Sequence, residues 1–525
     1  MVDFWRAVRA WGLPVAFTLA GVVTGIGAPA EEESVHAEHR GVGVEEVQAL
    51  EALPPENLPD VEILPDRSLF VRHPDFLAGL SFAAVMDQLA ASAEVADGKA
   101  LFRQWWSTIV PGTAEEVAAG LACPGLGVTV AVPTLNSFPM LCDPQFAAIA
   151  AIADPLGETS ETPPFRIIGA VNRIDLREPG TDTPDCGEYR VITAWNPQWP
   201  GWPALGDPTI EMFMNFEAII PDKDGDGQLC AAIQEFWARF SNADTTGTIP
   251  IDAAVADALA RFYLEGGRLT PDGRLLPPDA AEDGFDLGPV LHADNLGRDP
   301  VDVRGQIRVN TRTSQVWVLR EFEFAHEGDT SRIVAMPTGG SIDPTAFSGG
   351  TPENARLAIS LQLGYDDFMV PDINRFHLTF DASIQASQMV IPRNLTQIPT
   401  YTRTLHMPTN DVRRVIMDKA GTNPSIIRLE TLSCSGCHHN VADSSVANFV
   451  DHTGRPVKWP GSLKFTHISP ELGTDGGYEI SDLVKCTALP HREAVMRAEL
   501  GRPVADPTPE TDPPAGCEIH YIFDE

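Results

Sequence analysis

Lysine is scarce in this chain: only six of its 37 basic residues, Lys99, Lys223, Lys419, Lys458, Lys464 and Lys485, are lysines. Against those 37 stand 73 acidic residues, so the formal net charge is −36 over 525 residues. A field of that sign repels nucleic acid and anionic lipid and favours solubility or a basic partner. Beyond the N-terminus no run is apolar over the roughly 20 residues needed to cross a bilayer. Also missing are H-E-x-x-H, G-x-S-x-G, a P-loop, and a G-x-G-x-x-G that opens a helix after a strand. Those absences argue against a hydrolase or a nucleotide-dependent enzyme. Long uninterrupted helices should be rare, because 45 prolines and 43 glycines punctuate the chain.

What is present points to export. Arg6 and Arg9 precede a largely apolar stretch from Gly12 to Ile26, and Ala28-Pro29-Ala30 then leads into Glu31-Glu32-Glu33. This is the charged region, apolar region and small-residue cleavage site of a secretory signal peptide, and no cysteine at the cleavage point suggests a lipid anchor. The expectation is a periplasmic or extracellular protein that spans no membrane once residues 1–30 are removed. Eight cysteines fit that compartment. Two belong to the motif described below. The other six, Cys123, Cys142, Cys186, Cys230, Cys486 and Cys517, fall as successive pairs, so nearest-neighbour bridges 123–142, 186–230 and 486–517 are the simplest of fifteen connectivities.

Hydrophobic periodicity then orders the chain. Residues 31–66 are acidic, proline-bearing and poor in aromatics, and read as a linker. Helical spacing runs from Phe76 to Leu89 and again from Gly98 to Ile109, with Trp105 and Trp106 expected in the core. Strand patterns follow at Phe165–Leu176, Glu188–Trp195, Met212–Ile220, Val303–Thr311 and Gln315–Phe324, with helices at Leu229–Phe240 and Ile251–Leu264. Strands that cluster without regular helical alternation predict an α+β fold, a mainly antiparallel sheet body with flanking helices over 67–400. Residues 401–525 form a loop-rich C-terminal segment, with helical patterns at Asn410–Lys419 and Ser425–Leu432.

Two groups of acidic residues invite a chemical reading. Asp175 and Glu188 would serve acid–base work if paired in a pocket; cross-strand ion pairs with Arg173, Arg177 and Arg190 are the reading adopted. Asp222-Lys-Asp224-Gly-Asp226-Gly-Gln228 matches the first half of a calcium loop. It offers carboxylates at positions 1, 3 and 5, glycine at 6 and the Gln228 backbone carbonyl at 7. Position 12 is Ile233 where that loop wants a bidentate glutamate, and Glu235 lies two residues further on. A solvated acidic turn before a helix is the alternative.

The most specific motif is Cys434-Ser-Gly-Cys437-His438, followed by His439. Two thiols at this spacing can form thioethers to the vinyl groups of one haem, and the adjacent histidine reaches the iron from the same side. The expectation is haem c held by Cys434 and Cys437 with His438 as proximal ligand, in an electron carrier with a basic redox partner. A second axial ligand is needed if the iron is six-coordinate. His406, Met407, His439, His452, His467, His491, Met496 and His520 are the candidates, and His467, in the apolar setting Leu463-Lys-Phe-Thr-His-Ile468, is the choice. Two other readings stand beside this one. One is a peroxidase-like oxidoreductase with an open distal face. The other is a haem-free secreted binding protein whose Cys434 and Cys437 form a disulfide or hold zinc with His438 or His439 and His467.

Several blocks carry a resemblance. Phe82-Ala-Ala-Val-Met-Asp-Gln-Leu89, Val171-Asn-Arg-Ile-Asp-Leu-Arg177 with Cys186-Gly-Glu-Tyr-Arg190, and Gly305-Gln-Ile-Arg-Val-Asn310 with Trp317-Val-Leu-Arg-Glu-Phe322 are among them. With Cys434–His438 and Phe465-Thr-His467, they resemble a family of exported bacterial proteins common in myxobacteria. The resemblance implies export and one architecture through most of the chain, and adds weight to His467. It implies no reaction.

Overall fold

The computed structural model describes residues 63–109, 134–135, 138–139, 152–177, 184–201, 211–241, 251–297, 305–312, 316–327, 330–336, 338–342, 385–386, 389–392, 449–450, 456–457 and 467–502. All lie within one compact unit, Glu38–Glu525. The fold is α+β around an eight-stranded antiparallel sheet. Its strands are β1 Phe70–Val71, β2 Phe165–Arg173, β3 Asp185–Trp195, β4 Glu211–Pro221, β5 Gln306–Arg312, β6 Val316–Glu327, β7 Thr330–Met336 and β8 Met389–Pro392. From β1 to β7 spatial order follows chain order, a meander; β8 pairs with the first part of β6 and β7 with the second.

The register explains the two unlike faces. Val191, Phe216, Ile307 and Phe322 lie side by side across β3 to β6, while Ile192, Asn215, Arg308 and Glu321 line up one residue along. Successive side chains on a strand point to opposite faces, so one face is apolar and the other carries the charges. Helices α1 Phe82–Ser92 and α2 Gly98–Ile109 cover the apolar face. Trp105 meets Phe216 and Phe322 at ring-centroid distances of 6.0 and 5.6 Å, and Phe82 meets Phe165 at 4.9 Å. Trp105 and Trp106 are fully buried, the core role expected of them. A third helix, α3 Gln228–Ser241, stacks Trp237 on Tyr189 of β3. Its Gln234 bridges the Tyr189 hydroxyl and the Asn172 amide inside that contact.

Some boundaries differ from the pattern in the sequence. The first helix begins at Phe82, since Pro74 to Gly79 form turns and Ser81 caps the helix by accepting from Ala84 N at 3.1 Å. Ser81→Ala should cost about 1 kcal/mol, read as a lower urea midpoint. The strand pattern runs to Leu176, but the strand stops at Arg173. Ile174–Leu176 is a 3-10 turn, started when the Asn172 side chain accepts from Ile174 N. Helix α4 is Ile251–Ala260, continued by a π turn over Arg261–Glu265. The patterns at 410–419 and 425–432 lie outside the described residues.

Near the C-terminus, a hairpin of β9 Ile468–Leu472 and β10 Tyr478–Ile480 is followed by α5 Leu489–Glu499. Both pack on the body. Arg72, next to β1, donates to Tyr478 O at 2.9 Å and to Asp475, and Tyr478 N donates back to Arg72 O at 3.0 Å. Among the described residues no helix is long and apolar enough to cross a membrane.

Candidate functional site

The predicted site residues fall in three places. Cys434, Cys437 and His438 lie outside the described residues. His467 sits at the entry to the C-terminal hairpin. Asp222, Asp224, Asp226 and Gln228 form the connection from β4 into α3.

His467 is half-buried, and its Nδ1 is 3.0 Å from the Oγ of Ser481, which is wholly buried. The backbone repeats the link, Ser481 N donating to His467 O at 3.0 Å. Metal-ligating histidines are oriented in this way, one ring nitrogen tied to the protein and the other set towards the metal. At His467 the nitrogen tied in this way is Nδ1. Two rival ligands belong to α5, where Met496 and His491 are buried at 0% and 2% exposure.

The acidic loop is held more firmly than a solvated turn needs to be. Asp222 N donates to Pro184 O at 2.8 Å, and its Oδ2 accepts from Gly227 N at 2.9 Å across the loop. Gly225 and Gly227 take φ of 67° and 75°, left-handed values that cost glycine no Cβ clash. Asp226 Oδ1 accepts from Gln228 N at 3.0 Å and so opens α3. Gln228 is the first residue of α3. Glu235 is held by Arg502 at 2.9 Å, and the Ile233 side chain is fully buried.

One juxtaposition was invisible in the sequence. A carboxylate oxygen of Asp222 and the sulfurs of Cys186 and Cys230 lie within 4.8 Å of one another, all three residues buried. The sulfurs are bonded to each other at 2.03 Å, forming the 186–230 bridge expected from nearest-neighbour pairing, so no thiolate is free for a soft metal. Cys486 is also disulfide-bonded. Its partner lies outside the described residues.

Several groups of buried ion pairs lie on the charged face of the sheet and in the turn that follows β2. Arg173 pairs with Asp175 at 2.8 Å, Arg190 with Glu188 and with Glu217 at 3.4 Å, and Arg308 with Glu217 at 2.8 Å. From α5, Arg492 reaches Asp175 at 3.2 Å and Glu499 pairs with Arg177. Burial alone would raise the Asp175 carboxyl, but Arg173 and Arg492 outweigh it and hold the group well below the usual carboxylate range. Burial acts likewise on Glu188, where Arg190 and Arg173 prevail and lower it. Burial pulls Arg492 down to about 9, and the neighbouring Arg173 pulls the same way; the group stays charged at neutral pH. Asp175 and Glu188 are thus each committed to guanidinium partners, Asp175 to Arg173 and Arg492 and Glu188 to Arg190 two residues along its own strand, where the sequence had suggested cross-strand pairs. The pairing of Asp175 with Arg492, 317 positions along the chain, had no local signal.

No family model, curated protein or solved structure matches this chain. Its function therefore has to be argued from its own residues.

Proposed function

We propose that this chain is an exported c-type haem protein, periplasmic or extracellular, that transfers electrons through one covalently held haem. One observation carries the reading: the spacing Cys434-Ser-Gly-Cys437-His438, which sets two thiols and an imidazole for one porphyrin. The oxidised Cys186–Cys230 pair supports it, because structural disulfides belong to the compartments in which an exported protein works. When bound, the haem supplies a one-electron couple at its iron. The chain's own residues do the rest. Cys434 and Cys437 anchor the macrocycle, His438 ligates one face, and His467, its ring oriented by Ser481, is assigned to the other. A net charge of −36 suits a basic redox partner.

The test is a haem stain. Made in a host that matures c-type haem, the protein should give a stained band on a denaturing gel, and Cys434→Ala with Cys437→Ala should abolish it. A colourless protein that carries zinc would overturn the reading in favour of a haem-free Cys434/Cys437 site. In the haem-bearing protein, His467→Ala should turn a low-spin visible spectrum high-spin; an unchanged spectrum would remove His467 from the iron.

A further inference from the structure

We propose that the loop Asp222–Gly227 binds a calcium ion, which the buried Asp222 carboxylate holds at the junction of β4 and α3. The inference is independent of haem.

It starts from an unbalanced charge. Asp222 is 3% exposed, and its Oδ1 is buried with no hydrogen-bond partner. The other oxygen, Oδ2, is tied to Gly227 N. One carboxylate oxygen thus reaches back across the loop. A buried carboxylate without a compensating cation is costly, and such groups are normally paired or bound to metal. Other acids among the described residues obey that rule. Asp175 has Arg173 and Arg492, Glu217 has Arg190 and Arg308, Glu235 has Arg502, and Glu499 has Arg177. Among the described residues Asp222 has no ion pair with a guanidinium or ammonium; the Arg177 guanidinium lies beside Gly227 but is paired with Glu499. A bound cation would supply the counter-charge of Asp222.

The loop's chemistry selects the ion. Asp224 and Asp226 follow at alternate positions, both exposed. With Lys223 the segment carries three negative charges and one positive, a net −2. The oxygens are hard, the sulfurs beside Asp222 are locked in a disulfide, and Gly225 and Gly227 already take the left-handed turns that wrap such a loop. Hard oxygen donors on a flexible loop favour Ca²⁺; Mg²⁺ demands stricter octahedral geometry and gives up its waters reluctantly. Asp224 and Asp226 stand apart from Asp222, which shares its 4.8 Å group with Cys186 and Cys230. Binding would draw the two exposed carboxylates inward, with waters filling the remaining positions. Three carboxylates and no bidentate glutamate imply the weak affinity of extracellular modules, a Kd on the order of 10⁻⁴–10⁻³ M.

The experiment is calorimetric titration of the full mature chain, stripped with chelator, against CaCl₂ and separately MgCl₂, with thermal unfolding in each. One calcium should bind, and about 10 mM should raise the unfolding midpoint by about 1–3 °C, magnesium doing markedly less. Asp224→Asn removes a ligand from an exposed residue that holds nothing else in place, so it should unfold like wild type without calcium and bind calcium at least ~10-fold more weakly. No calcium heat and no midpoint rise would overturn the proposal, as would equal response to magnesium or an Asp224→Asn variant that binds like wild type.

Discussion

Asp175→Ala should be among the most destabilising single substitutions in the protein, lowering the unfolding free energy by about 3–5 kcal/mol. Removing one partner of a buried ion pair leaves the other charge stranded, and here two are stranded at once. Arg173 and Arg492 both converge on this carboxylate, whose side chain is 5% exposed. Urea midpoints measure the loss. A drop below about 1 kcal/mol would show that the guanidiniums find water or other acids, as exposed pairs do. The double variant Asp175→Ala with Arg492→Met should recover part of the loss, since an apolar replacement of similar volume needs no counter-charge. A pH series gives the sign independently. The folded-state value of Asp175 is depressed, so its contribution is present above the unfolded-state value of about 3.9 and fades as pH falls below it. Wild type should lose stability faster than Asp175→Ala on acidification through that window, and the two curves should converge at low pH.

The same network shows where the sequence was readable. Phe165–Arg173 and Glu211–Pro221 are long apolar-rich runs bounded by proline and glycine, and strands are what such runs make once buried. Of the charges singled out there, Arg173 and Glu188 do face each other across β2 and β3, whereas Glu217, which faces Arg190, was not singled out. Three things were not legible. The strand end at Arg173 depends on an Asn172 side-chain bond, a local competitor that hydrophobic period does not register. Arg492 and Glu499 reach the sheet only because α5 packs there, a tertiary fact. Asp222 belonged to a visible motif, but its burial against a disulfide did not follow from its neighbours in the chain. What unites these cases is separation: contacts across tens to hundreds of residues leave no periodic trace.

Removing the Cys186–Cys230 bridge, as Cys186→Ala with Cys230→Ala, should cost about 4 kcal/mol, the loop-closure value for a sequence separation of 44. That closed loop contains most of β3, all of β4 and the Asp222–Gly227 turn, so the crosslink restrains in the unfolded chain the two strands that pair across the charged face. In the folded chain both cysteines are fully buried, and trimming each sulfur to a hydrogen adds a small cavity beside the Asp222 carboxylate. The two contributions separate experimentally. Reducing only the native bridge keeps both sulfur atoms in place and should reproduce the entropic part, whereas the Ala pair adds the cavity and should be the less stable of the two. A loss below about 2 kcal/mol for the Ala pair would mean that the unfolded chain is already compact across this segment. It would also shift the weight of stability at this junction from the crosslink to the β3–β4 ladder and the Tyr189–Gln234–Asn172 hydrogen bonds that join α3 to the sheet.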